Sequence, residues 1–303
     1  MKLPASAVIK EVGPRDGLQN EKRIVGTKEK IAWIDLLSDT GLSYIEVSSF
    51  VHPKWIPALA DATDVFTGIK RKEGVTYAAL VPNMNGLERA LSANADEINV
   101  FLSASETHNK KNINKSISEA LEAIKGVTKQ SLFAGKKVRG YVSTVFGCPY
   151  EGDIDIEAVD RLCDELLSYG IYEISLGDTI GVANPAQVEN VLGALLKKYP
   201  ASIFAMHFHN TYGMALANVV KSLEMGVTTF DSACGGLGGC PYAPGASGNV
   251  ATNDLVYMLH KMGVQTNIQE ARMFEATRFI QNKLELQLPS HVYRAQQHKT
   301  VSR

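Results

Sequence analysis

Strand-like runs and amphipathic helical runs alternate eight times along this chain, and that alternation constrains its fold more than any other feature. β-rich stretches fall at residues 7–12, 44–48, 76–81, 97–102, 138–145, 172–176, 203–208 and 228–232. Helical periodicity fills the gaps. A helix capped by Thr27 and stopped by Gly41 comes first, followed by runs at 57–72, 87–92, 116–128, 156–168, 185–198 and 215–224, and a last start near Asn249. Repeated βα units imply a parallel sheet with right-handed crossovers. Eight of them in roughly 260 residues predict an α/β fold, a closed (β/α)8 TIM barrel. The barrel is expected over residues 1–265. Residues 266–303 are expected to add a helix at 270–284 and an irregular tail, packed on the barrel. At 303 residues and 45% hydrophobic content the chain can bury one large core.

Charge and cysteine usage remove several function classes. Lys and Arg number 31 against 32 Asp and Glu, so the basic excess of a nucleic-acid binder is missing. The apolar stretches are too short for a membrane span, and the first six residues are too short for a targeting peptide. Cys148, Cys163, Cys234 and Cys240 contain no Cys-x-x-Cys pair, which argues against a zinc knuckle or a disulfide scaffold. A reducing cytoplasm is the expected location.

A barrel of this kind carries its chemistry at the C-terminal ends of the strands. His207 and His209 sit two apart on the seventh run. Residues so spaced on a strand point the same way, about 6.6 Å apart, so both imidazoles can converge on one metal ion. Asp16, after the first run, is the third candidate ligand or else a turn residue, since Asp-Gly favours turns. Nitrogen and oxygen donors with open positions suit Mg²⁺ or Mn²⁺. Asn249 is either a carbonyl ligand or a helix N-cap, and by itself it reads as the cap. Arg15 offers a guanidinium to a carboxylate or a developing enolate oxygen. Glu46 and Asp178 are acids or bases, or else they orient Arg15 and the histidines. Cys240 lies among glycines at 235, 236, 238, 239, 245 and 248, in a loop expected to move and close over substrate. No Walker sequence and no Gly-x-Gly-x-x-Gly after the first strand is present, which disfavours a nucleotide cofactor. The sixth strand ends in Gly177-Asp178-Thr179 without a Schiff-base lysine, so a C–C bond-breaking enzyme would rely on a metal.

Glu11-Val12-Gly13-Pro14-Arg15-Asp16-Gly17-Leu18-Gln19-Asn20-Glu21 and the run from Gly235 to Asn249 resemble the signatures of the 3-hydroxy-3-methylglutaryl-CoA (HMG-CoA) lyase family. Ser49-Phe50-Val51, Pro53-Lys54-Trp55, Lys110-Lys111-Asn112-Ile113-Asn114 and His207-Phe208-His209-Asn210-Thr211-Tyr212-Gly213 resemble it too. The resemblance runs from the first strand to about Leu259. It implies metal ligation by Asp16, His207, His209 and Asn249, and catalytic roles for Arg15 and Cys240 with support from Glu46 and Asp178. It implies cleavage of HMG-CoA to acetyl-CoA and acetoacetate, the last step of leucine breakdown. Arg15 and Gln19 are then expected to contact the substrate. Lys110 and Lys111 fall in the loop expected after the fourth run and, with Asn112, are expected to meet the CoA moiety of an acyl-CoA, or else the lysines form a solvated charge cluster. A homodimer is expected.

Rival readings are a lyase for a related 3-hydroxyacyl-CoA, a Claisen-type acyl-CoA synthase and a binding scaffold without turnover. Claisen synthases of the same superfamily carry an acidic and basic pair where this chain has Gly239-Cys240. Two departures stand out. Asn253 occupies a position where the family often has an acid, and no cysteine follows Cys240.

Overall fold

The computed structural model describes residues 3–239 and 248–301. Eight parallel strands close into a barrel in chain order: β1 (Val8–Glu11), β2 (Tyr44–Ser49), β3 (Thr76–Leu80), β4 (Glu97–Ser103), β5 (Lys137–Ser143), β6 (Glu173–Asp178), β7 (Phe204–Phe208) and β8 (Thr229–Ser232). β8 closes on β1 through the pairs Val8↔Thr229 and Glu11↔Ser232. The TIM barrel expected from the βα alternation is the fold found.

The crossovers are α1 (Thr27–Ser38), α2 (Ala62–Gly68), α3 (Met84–Ser92), α4 (Glu106–Ile113), α5 (Ile117–Phe133), α6 (Ile156–Ser168), α7 (Pro185–Leu195), α8 (Ala215–Glu224) and α9 (Thr252–Lys261). α10 (Glu270–Leu284) and α11 (His291–Val301) follow. Several expected elements are corrected. Residues 57–72 hold only a short turn and α2, and two helices rather than one follow β4. Thr27 is the first residue of α1, not its cap. Gly26 takes the cap position, and the Thr27 hydroxyl donates to Asp61 Oδ2 at 2.8 Å instead.

The segment after α10 is not irregular, because it contains α11. The Asp254 carboxylate accepts bonds from Ser290 Oγ (2.6 Å), Val292 N (2.8 Å) and His291 N (3.0 Å). These satisfy N–H groups that a helix start leaves without partners. α10 packs on α1, and α11 packs on α9.

Apolar side chains such as Trp33, Ile34, Leu37, Val127 and Leu166 fill the space between strands and helices. The barrel interior differs. Lys10, Tyr44, Glu46, Glu97, Asn99, Arg139, Glu173, Ser175, His207 and Asp231 are all buried and bonded to one another. Interiors of such barrels are usually dominated by Val, Ile and Leu, so this polar filling calls for a cause.

Candidate active site

Arg15 and Asp16 lie on a wide helical turn, Gly13–Gly17, directly after β1. The Val12 carbonyl accepts from the amides of Arg15, Asp16 and Gly17 at 2.7 to 3.3 Å. The buried Glu11 carboxylate fixes the same turn from behind. It accepts from Gly13 N (2.8 Å), Cys234 N (2.8 Å) and Thr252 Oγ1 (2.7 Å), and so ties together the chain after β1, the chain after β8 and the start of α9.

Asp16, His207 and His209 present ligand atoms that all lie within 4.8 Å of one another. The two histidine rings stand 5.4 Å apart, on one face of the strand end as the i, i+2 spacing predicts. Asn249 arrives by a different route. It pairs with His209 in an isolated antiparallel bridge beyond β7, and its Nδ2 donates to Asp16 Oδ2 at 2.8 Å. It does not cap α9; Ala251 holds that position. The chain on either side of residues 240–247 passes close by. A Cβ on Gly238 would fall 2.7 Å from Asn249 Nδ2, and one on Gly248 would fall 1.2 Å from the Gly238 carbonyl oxygen. Only glycine fits these two positions.

Arg15 donates from Nε to Glu46 Oε2 at 2.5 Å and from Nη1 to Asp16. A register shift between Glu46 and Ser48 in β2 marks where the strand bends beside Glu46. Glu46 Oε1 accepts from Asn99 Nδ2 at 2.7 Å. Gln19 donates to Asp16 Oδ1 at 3.0 Å. Seven of the sequence-derived site residues therefore meet in one cluster: Arg15, Asp16, Gln19, Glu46, His207, His209 and Asn249.

The electrostatics suit cation binding. Burial opposes charge on Asp16, yet Arg15 and the two histidines bring its pKa down to about 2. Asp16 is thus ionised near neutral pH. Burial, then His207, lowers His209 to about 4, so its imidazole is neutral. Its Nδ1 is buried without a hydrogen-bond partner among the described residues. An ionised carboxylate and a neutral imidazole with an unused nitrogen are the states that bind metal, so these residues fit a divalent ion.

Asp178 accepts from Val182 N (3.0 Å) and Ala183 N (3.1 Å), which makes it the anchor of the turn between β6 and α7. Burial pushes it up to about 7. Lys110, Lys111 and Asn112 are exposed on α4, not in a loop. Lys110 pairs with Glu106 at 3.2 Å, and Lys111 Nζ lies 4.1 Å from the Tyr150 ring centre. Cys240 falls outside the described residues. Asn253, at the position where an acid is usual, accepts from Gly235 N (3.0 Å) and Thr277 Oγ1 (3.1 Å), a structural task an amide oxygen performs without charge.

The HMGL-like family model matches residues 7–280 of this sequence. The chain belongs to the HMGL-like family. It is 60% identical over 290 residues to the hydroxymethylglutaryl-CoA lyase YngG of Bacillus subtilis, covering 96% of this chain and 97% of that protein. The crystal structure of the Bacillus subtilis HMG-CoA lyase superposes with a TM-score of 0.97 at 58% identity, covering 98% of this chain and 100% of that one. An HMG-CoA lyase from Acinetobacter baumannii, solved in complex with coenzyme A and 3-methylmalate, matches with a TM-score of 0.92 at 42% identity over 97% of both chains. The barrel shared with these lyases is the frame that brings Asp16 to His207 and His209 here. Missed from the sequence were Asp231 and Tyr141, which flank the His207 ring, and Arg139, which holds Asp231. Their signal was present: polar residues at alternate positions inside strands share the inward face.

Proposed function

We propose that this chain cleaves 3-hydroxy-3-methylglutaryl-CoA to acetyl-CoA and acetoacetate with a divalent cation, Mg²⁺ or Mn²⁺, held by Asp16, His207, His209 and Asn249. The observation that carries the reading is the convergence of Asp16 with two histidines within 4.8 Å, beside a guanidinium bonded to Glu46. The substrate is supported by HMG-CoA lyase relatives that match nearly the whole chain. When bound, such a cation acidifies the tertiary hydroxyl of the substrate and neutralises its carboxylate.

The protein groups do the rest. Asp16, ionised near neutral pH, takes the 3-hydroxyl proton. The C2–C3 bond breaks, its electron pair becomes the enolate of acetyl-CoA, and acetoacetate is left. Arg15, held by Glu46 and Asp16, stabilises the enolate oxygen. Gln19 steadies Asp16 and meets the substrate. Cys240 gives its proton to the enolate carbon; a thiol with an ordinary pKa of about 8.5 is acidic enough. Asp178 keeps the turn after β6 in place. Lys110, Lys111 and Asn112 receive the CoA moiety from α4.

No helix among the described residues is long and apolar enough to cross a membrane. The rest of the proposal is a homodimer in a reducing cytoplasm, and sedimentation measures the first part of it.

The decisive assay incubates the purified protein with HMG-CoA, with and without chelator. Equimolar acetyl-CoA and acetoacetate are expected, lost on chelation and restored by Mg²⁺ or Mn²⁺. No cleavage in the metal-loaded protein, or cleavage only of another 3-hydroxyacyl-CoA, overturns the substrate assignment. Condensation without cleavage would favour the synthase.

A further inference from the structure

His207 uses both ring nitrogens. Nε2 faces Asp16 Oδ2 at 3.9 Å, and Nδ1 faces Asp231 Oδ2 at 3.3 Å. His207 and Asp231 are register partners across β7 and β8, so the carboxylate stands beside the ring by construction of the sheet. Asp231 is itself fixed. Its Oδ1 accepts from Arg139 Nη2 at 2.8 Å and its Oδ2 from Ser175 Oγ at 2.7 Å. Arg139 reaches it across the barrel interior from β5 and is held at Nε by Glu173, its own register partner, at 2.5 Å. Lys10 completes the chain with a 2.7 Å bond to Glu173.

Stability alone does not explain this chain. Desolvating so many charges commonly cancels their attraction, and well-packed apolar residues of similar volume do as well or better. The chain must therefore do something that apolar filling would not. A neutral imidazole carries one N–H, and the partner of one nitrogen decides which nitrogen keeps a free lone pair.

We propose that Asp231, locked by Arg139 and Ser175, is a positioning residue that holds the proton of His207 on Nδ1 and aims the Nε2 lone pair at the metal position beside Asp16. The inference rests on the metal-site reading above. Asp231 touches neither substrate nor metal; it acts through His207.

Asp231→Asn tests it. Arg139 retains the amide oxygen, so the amide NH₂ turns toward His207 and asks Nδ1 to accept. The ring proton then moves to Nε2, the wrong side. At a pH high enough to keep the ring neutral, the ¹⁵N-histidine spectrum of the metal-free protein should show the Nδ1–H tautomer for His207 in wild type and the Nε2–H tautomer in Asp231→Asn. Loss of that signal in His207→Gln assigns it. Mn²⁺ affinity, read by electron paramagnetic resonance, should fall 10- to 100-fold in Asp231→Asn.

Ser175→Ala removes one lock but leaves Asp231 held by Arg139 and able to accept from His207, so its Mn²⁺ affinity should fall less than that of Asp231→Asn. Glu173→Gln removes a buried negative charge from the same chain without touching His207, and its affinity should fall far less. An Nε2–H tautomer in wild type overturns the proposal. So do unchanged affinity in Asp231→Asn and equal losses in Asp231→Asn and Glu173→Gln. If Asp231→Asn does not fold, Arg139→Lys should still lower Mn²⁺ affinity, because an ammonium cannot span Glu173 and Asp231 as the guanidinium does; unchanged affinity there also overturns it. His207→Ala separates the two readings. Undiminished Mn²⁺ binding in that variant removes the metal site itself, whereas its loss, with binding retained in Asp231→Asn, removes only the positioning role.

Discussion

Glu11 holds three segments behind the site with one buried carboxylate, and burial raises its pKa from 4.5 to about 7. Folding therefore takes up a proton between those values. Its contribution to stability is full below about pH 4.5 and is lost as pH rises through 7, at a cost of about 3 kcal/mol. Glu11→Gln should mimic the protonated form, because Nε2 can donate to Thr252 Oγ1 while that hydroxyl turns to Ser232 Oγ, 2.8 Å away. Urea unfolding of wild type should show a falling contribution over that range, and the variant should lack it. Parallel curves for the two proteins would show that Glu11 does not titrate there. Cys240 makes the chemical counterpart at this scale. If its thiol protonates the enolate, Cys240→Ser should fold and bind metal normally but turn over ~10²–10⁴-fold more slowly, since a hydroxyl is a far weaker acid. Near-normal kcat in that variant would remove the last step of the proposed mechanism.

Strands and helices differ in how much of their role the sequence discloses. The His207–His209 pair was legible because a strand's period of two is local and needs no knowledge of neighbours. Asp16 was legible because adjacent βα units fall in order around a ring. Asn249 was legible only through the family resemblance and not from its own spacing, since its place depends on a bridge to His209 made across chain segments far apart in sequence. The same limit hid Arg139 and Asp231, whose inward direction is periodic but whose partners lie across the barrel. Residues 106–113 read as a loop because their mean composition is polar and the helix is short; Ser105 caps it by accepting from His108 N at 3.0 Å. This element carries its own prediction. Reversing the charges of Lys110 and Lys111, both exposed on α4, should raise KM for HMG-CoA more than it lowers kcat if they meet the CoA phosphates. An unchanged KM would leave them as a solvated helix face.

Across the molecule, hydrogen bonds run from Asp16 through Arg15, Glu46, Asn99, Tyr44, Glu97, Tyr172, Lys10, Glu173, Arg139 and Asp231 to His207, whose Nε2 faces Asp16 again at 3.9 Å. By formal charge this ring holds five carboxylates, Asp16, Glu46, Glu97, Glu173 and Asp231, against three cations, Lys10, Arg15 and Arg139. With His207 neutral, two negative charges are in excess, and a divalent ion at the proposed site would balance them, whereas a monovalent ion would not. Buried like charges destabilise the folded state, so occupancy of the site and stability of the whole barrel are linked. A ligand that binds only the folded chain at about 100 times its Kd adds about 2.7 kcal/mol, which for a domain of this size raises Tm by on the order of 5 °C. Saturating Mg²⁺ or Mn²⁺ should produce that rise in wild type, chelator should reverse it, and Na⁺ at matched ionic strength should not reproduce it. In His207→Ala the barrel should fold, because the residue lies at the strand end, but the metal-dependent rise should shrink to near zero. Scanning calorimetry of both proteins in chelator and in metal decides the matter. An equal rise in both would place the stabilising ion elsewhere, and no rise in wild type would break the link between the ring's charge and the site.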